Sequence, residues 1–405
     1  MKNNYVYQNP AVQLFECHGA YRENGLNSEM IKHSEILPLL EKYSGTSVFR
    51  IEKLGESVEE REINSIVFGT GQINILAWSQ MHGDEPTATA AIFDLLKFFS
   101  ADDEFNKIRE LLLNKLTFHF IPMLNPDGAE IFRRENAFNV DLNRDALRLQ
   151  SPESKILWDY SVKTSPEFGF NLHDQNNYYG AGRSGNTAAI SLLAPPSSYS
   201  KNIGYTREKS MQVISRIYDS LSLFVPGSIA RYNDDFEPRA FGDNLVKSGI
   251  SVILIESGFI KNDTGKEIIR KLNFEALLTA FVSIARDDFA SVDYRGYFNI
   301  PENRELFFDL LLRNLNVRCG KNYYMIDIGI NREKSFDHSE CLLRYKGKIT
   351  EVGDLSIYYG IEEADLAGYR IVSPEMPMRD GPGDLRIARD EEISIEVTNG
   401  FLKYL

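Results

Sequence analysis

The chain has 405 residues, 43% of them hydrophobic and 25% charged, enough for a large buried core and two or three domains. Its 58 acidic against 45 basic residues leave a net charge of −13, which argues against nucleic acid or an anionic membrane surface as a partner. Three scattered cysteines (Cys17, Cys319, Cys341), a start without the apolar core of a signal peptide, and no stretch near the ~20 apolar residues that span a bilayer together predict a cytoplasmic protein with reduced thiols.

In chain order, residues 28–43 read as a short helix leading into the first domain. Two strand-like runs follow at 47–51 and 63–68, separated by charged turn residues 55–61, and read as an antiparallel pair. The apolar run Ile73–Trp78 reads as a buried strand, and 88–97 as a helix with an apolar face. A helix at 103–114 leads into a strand at 116–123; then come a helix at 151–163 and a strand at 168–172. A helix at 206–223, a strand at 252–255 and a helix at 264–286 complete the set. Strand and helix in alternation predict an α/β fold, a mostly parallel, mixed sheet covered by helices on both faces. Beyond Asp293 the texture changes to short alternating runs at 323–328, 341–345, 355–359 and 393–397, with one helix expected at 305–315. The expected division is an N-terminal extension (1–45), a catalytic domain (46–292) and a β-rich accessory domain (293–405).

The chemistry gathers at strand ends. His82 and Glu85, in Gln80-Met81-His82-Gly83-Asp84-Glu85-Pro86-Thr87, stand where a strand hands over to a helix, and an imidazole and a carboxylate at that spacing can meet one cation. Asp84 reads as a cap of the helix or a solvent-exposed group. Asn125-Pro126-Asp127-Gly128 ends the next strand as a tight turn, and Arg133-Arg134 and Asp141-Leu142-Asn143-Arg144 follow it. His173 ends a third strand and Glu256 a fourth. In a parallel sheet His82, Asn125, His173 and Glu256 emerge on one edge, so that His, Glu and His can meet one metal while a fourth carboxylate stands free.

In this order and spacing the five motifs resemble the zinc carboxypeptidase (peptidase M14) family over roughly residues 60–290. The resemblance implies Zn²⁺ held by His82, Glu85 and His173, with Glu256 as general base. It further implies that Asn143 and Arg144 bind the substrate's terminal carboxylate and that Arg134 polarises the scissile carbonyl, with Arg133 as the competing assignment. Tyr232 is the candidate for the family's active-site tyrosine, and residues 232–250, with Arg239 and Asp243, for the pocket that selects the terminal side chain. His119 reads as a strand-face residue outside this site.

The residue types suit these roles. Two His and one carboxylate with an open fourth position make a catalytic zinc arrangement. A guanidinium fork matches a carboxylate. The expected function is zinc-dependent removal of a C-terminal residue from a peptide or small amide with a free carboxylate. The rivals are a zinc amidase or deacylase on small amidated acids or murein peptides, and a zinc-containing peptide-binding protein without turnover.

Overall fold

The computed structural model describes residues 10–337, 339–340 and 342–405. The start of the chain, His338 and Cys341 lie outside them. The chain divides into two compact units, one of residues up to Gln175 together with Ala188–Asn303, the other of Asn176–Thr187 with Arg304–Leu405.

In the first unit, helices α1 (Pro10–Tyr21) and α2 (His33–Ser44) precede strands β1 (Arg50–Glu56), β2 (Glu62–Phe68) and β3 (Ile73–Trp78). Helices α3 (Thr87–Ser100) and α4 (Asn106–Lys115), strand β4 (Leu116–Ile121), the short helix α5 (Pro126–Glu130), helix α6 (Pro152–Thr164) and strand β5 (Phe168–Asp174) follow. After the short strand β6 (Tyr179–Ala181) in the second unit come β7 (Ile190–Leu193), α7 (Tyr205–Leu221), β8 (Ile229–Arg231), α8 (Phe241–Lys247), β9 (Ser251–Ser257) and α9 (Glu267–Arg286). The sheet runs β1-β2-β4-β3-β5-β9-β7-β8. Its centre, β4-β3-β5-β9, is parallel, while β1-β2, β2-β4 and β7-β9 are antiparallel. The fold class is therefore the mixed α/β sheet expected.

Alternation along the central strands divides the core. Phe168, Phe170 and Leu172 of β5, with Ile253 and Ile255 of β9, point to one face and pack with residues of α3, α7 and α9. Trp78 of β3, Ile121 of β4 and Val252 of β9 point to the other, beneath Leu157 of α6 and Phe241 and Leu245 of α8. Both faces are dry, which is why these strands read as near-continuous apolar runs. A fully buried ion pair, Arg270 of α9 with Asp94 of α3 at 2.5 Å, crosses the first layer. Asp94 also accepts from the Glu23 amide at 2.7 Å, and Arg270 donates to the carbonyls of Glu23 at 2.8 Å and Leu26 at 3.1 Å, so the N-terminal segment is bonded into the core. No helix among the described residues is long and apolar enough to cross a membrane.

The second unit is β-rich. Strand β10 (Asn303–Glu305) pairs with β6. Strands β11 (Phe307–Cys319), β12 (Asn322–Asp337), β13 (Leu342–Gly353), β14 (Tyr359–Asp365), β15 (Arg370–Ser373), β16 (Leu385–Arg389), β17 (Glu392–Thr398) and β18 (Phe401–Tyr404) form the order β13-β12-β11-β15-β16-β17-β18, with β14 on β11. The helix expected at 305–315 is instead the central strand β11. Its first six residues are all buried, and it is paired by β12 on one side and by β14 and β15 on the other. An apolar run covered on both faces carries no period that separates strand from helix. The run at 355–359 is mostly a turn leading into β14, and the strand expected at 47–51 lies slightly later, as β1.

Candidate metal centre

The carboxyl ends of β3, β4, β5 and β9 open on one sheet edge, the usual place for a site in such a sheet. After β3 the chain turns through Gln80, whose φ is +42°. The turn carrying His82 packs backbone to backbone on the turn after β4: a Cβ on Gly83 would lie 2.0 Å from the carbonyl carbon of Gly128. Glycine is required at this close approach. Asn125 caps α5, its Oδ1 accepting from the Gly128 amide at 2.9 Å, and its Nδ2 donates to the Arg134 carbonyl at 3.2 Å. The Asn-Pro-Asp-Gly segment is thus a capped turn that seats the His82 loop and the Arg134 strand of chain. Asp84 does not cap α3. The N-cap position is Pro86, without a side-chain bond, and Asp84 Oδ1 is buried without a partner.

His82, Glu85 and His173 converge. Their donor atoms all lie within 4.8 Å of one another, and the residues are 2%, 7% and 2% exposed. His82 Nδ1 is 2.8 Å from Glu85 Oε1, His173 Nδ1 is 2.7 Å from Glu85 Oε2, and the two Nδ1 atoms are 3.2 Å apart. Burial disfavours charge on all three, yet the two imidazoles hold the Glu85 carboxyl well below its usual range. Burial likewise opposes a charge on His82, but Glu85 and Asp141 outweigh it and lift the imidazole to about 9. Burial lowers His173. Two nitrogens and a carboxylate thus face one another in a buried pocket. That donor set fits Zn²⁺ with a position left over.

The three donors are themselves supported. Asp141 Oδ1 is 3.0 Å from His82 Nε2, the nitrogen facing away from the donors, and Asp141 Oδ2 accepts from Arg134 Nε at 3.2 Å and Nη2 at 3.1 Å. Carboxylate–histidine pairing of this kind fixes tautomer and ring orientation. Sequence reading passed over Asp141, although an acid two residues before the Asn143-Arg144 pair was a usable signal. Of the two arginines, Arg134 reaches the cluster, Nη1 donating to Glu85 Oε1 at 3.0 Å, whereas Arg133 Nη2 donates to the Asn136 carbonyl.

Glu256 stands next to His173 in register on the parallel pair β5-β9. Burial, then the nearby Glu85 charge, raises its carboxyl well above the ordinary range. Asn143 is engaged in the fold: Oδ1 accepts from the Phe241 amide at 2.9 Å, and Nδ2 lies 3.3 Å from His173 Nε2. Arg144 is more open, its side chain 40% exposed, with Nε 3.5 Å from Glu237 Oε2. Glu237 is in turn gripped by Arg239 Nε and Nη2, both at 2.9 Å. Asp243 lies in the first turn of α8, where burial raises its carboxyl to about 7. Tyr232 follows β8, its amide donating to the Leu192 carbonyl at 2.9 Å. His119 is away from the cluster, with Nδ1 2.9 Å from the Tyr160 hydroxyl.

Residues 39–193 match the family model described as zinc carboxypeptidase, peptidase M14. Among curated proteins, the chain is 33% identical over 87 residues to Carboxypeptidase SOL1 of Arabidopsis thaliana, covering 19% of this chain and 18% of that protein. It is 29% identical over 113 residues to Probable carboxypeptidase 2 of Trichophyton verrucosum, covering 27% and 21% respectively. The matched segments thus span about a fifth of these relatives' length. Among solved structures, thrombin activatable fibrinolysis inhibitor aligns with a TM-score of 0.53 at 15% identity, over 67% of this chain and 77% of that one. A metallo-carboxypeptidase from Burkholderia cenocepacia aligns at 0.51 and 17% identity, over 64% and 70%. At these identities the solved structures speak to fold.

Proposed function

From a chain that carries a zinc carboxypeptidase segment and fold, we propose a zinc-dependent metallocarboxypeptidase that hydrolyses the C-terminal peptide bond of peptides. The observation that carries the reading is the convergence of His82, Glu85 and His173 beside a free carboxylate, Glu256. Bound zinc would supply Lewis acidity and bring the pKa of a coordinated water toward 7. The remaining work falls to the chain. Glu256 takes the proton of the attacking water at its carboxylate and delivers it to the departing amine. Arg134, aimed by Asp141, donates to the oxyanion that develops from the scissile carbonyl. Asn143 and Arg144 receive the terminal carboxylate, and Tyr232 borders the terminal residue. A cytoplasmic location is proposed with this reading.

The alternative is an amidase or deacylase acting on small amidated acids or murein peptides. Release of the terminal residue from peptide libraries with free and with amidated C termini decides between them. Cleavage of the free acids alone, abolished by chelation and restored by zinc, is expected. Equal rates on acid and amide would promote the amidase.

A further inference from the structure

Asp174, next to His173, ties three elements together. Its amide donates to Glu85 Oε2 at 3.2 Å. Its Oδ2 accepts from Thr87 Oγ1 at 2.5 Å, two residues beyond Glu85 at the start of α3, and from Lys266 Nζ at 2.9 Å. The Lys266 and Asp174 side chains are only 17% and 7% exposed. An exposed pair would contribute little, but one shielded from water holds its geometry and leaves a buried charge uncompensated when broken.

The backbone around Lys266 is unusual. Gly265 and Lys266 are both left-handed, with φ of +71° and +54°, a conformation that a lysine keeps only where its surroundings impose it. Asp263 caps the helix that follows, accepting from the Ile268 and Ile269 amides at 2.8 and 3.0 Å. Arg22, from the N-terminal segment, grips Glu267 in a two-pronged pair at 2.7 and 2.8 Å. The start of α9 is therefore fixed from both sides, and the left-handed pair turns the lysine toward Asp174.

We infer that Lys266 is a positioning residue of the metal centre: through Asp174 and Thr87 it locks the turn bearing Glu85 against the strand bearing His173, and so sets the affinity for the cation. The inference rests on the proposed zinc site but is read without turnover. Metal-free wild type, Lys266→Met and Lys266→Arg are titrated with zinc against a competing chromophoric chelator, with far-UV circular dichroism and melting of the metal-free proteins as the test of folding. Lys266→Met should bind zinc about 10–100-fold more weakly, the range for losing a supporting partner of a ligand, while Lys266→Arg should recover most of the loss. Thr87→Val, which removes the other bond to Asp174 Oδ2, should weaken binding in the same direction and stands in if Lys266→Met does not fold. Folded Lys266→Met, or in its place Thr87→Val, with the zinc affinity of wild type overturns the inference alone. Wild type that takes up no zinc overturns it together with the proposed function.

Discussion

His173 and Glu256 are register partners on two adjacent parallel strands, one turned toward the donor cluster and the other carrying a carboxylate with a raised proton affinity. A fourth protein ligand would close a zinc site, so the proposed function gives Glu85 to the metal and Glu256 to the proton. Glu256→Gln is expected to keep its zinc and lose about 10²–10⁴-fold in kcat, whereas Glu85→Gln loses zinc affinity and partly recovers with added metal. Zinc content measured beside kcat checks both. A zinc-free Glu256→Gln would reverse the roles.

Asp141 joins His82 to Arg134. Asp141→Asn should weaken zinc binding about 10–100-fold and, with Arg134 freed, lower kcat further at saturating metal. Equilibrium zinc titration and steady-state kinetics separate the two effects. Unaltered affinity would make Asp141 a partner of Arg134 alone.

Arg144, its side chain 40% exposed, is the proposed receiver of the terminal carboxylate. Arg144→Ala is expected to lose about ten- to a hundred-fold in kcat/KM on free-acid peptides, the equivalent of one charged hydrogen-bonding contact at roughly 1.5–3 kcal/mol. Amidated peptides should be unaffected. Measured as a ratio of kcat/KM values, the preference for acid over amide should largely vanish.

Glu275, in α9, accepts from Ser220 Oγ and Thr279 Oγ1, both at 3.0 Å, and burial pushes its carboxyl from 4.5 up to about 8. A folded-state value above the unfolded one means that the native state holds the extra proton. Its stabilising contribution is complete below about pH 4.5 and is lost as pH rises through about 8. Thermal melts from pH 5 to 9 should show wild type losing stability relative to Glu275→Gln, which has no proton to release. Parallel melting curves would contradict the assignment.

Arg270 and Asp94 are both without solvent contact. Arg270→Met strips Asp94 of its guanidinium partner, leaving it the His18 Nε2 at 2.9 Å and the Glu23 amide at 2.7 Å, and should cost up to about 3–5 kcal/mol, read as a lower denaturation midpoint. Asp94→Asn combined with Arg270→Met should recover part of it. A midpoint unchanged in the single variant would show that the pair contributes nothing net.

What the sequence determined by itself is local. Ile73–Trp78 followed by His82 and Glu85, and strands ending on His173 and Glu256, follow from apolar runs and short spacings that the backbone converts directly into strand ends on one edge. The tertiary structure decided whatever depends on distant segments meeting. Arg133 and Arg134 are neighbours with identical chemistry, and only the approach of Glu85 and Asp141 distinguishes them. Asp141 lies 59 residues from His82, and Lys266 92 residues from Asp174, so sequence spacing pairs neither with the group it bonds. Residues 305–315 read as a helix because a strand buried on both faces looks like any other apolar run until β12 and β14 supply its hydrogen bonds. Periodicity reports which side of an element is wet; partners across the fold are fixed by packing, and packing is settled only when the chain has closed on itself.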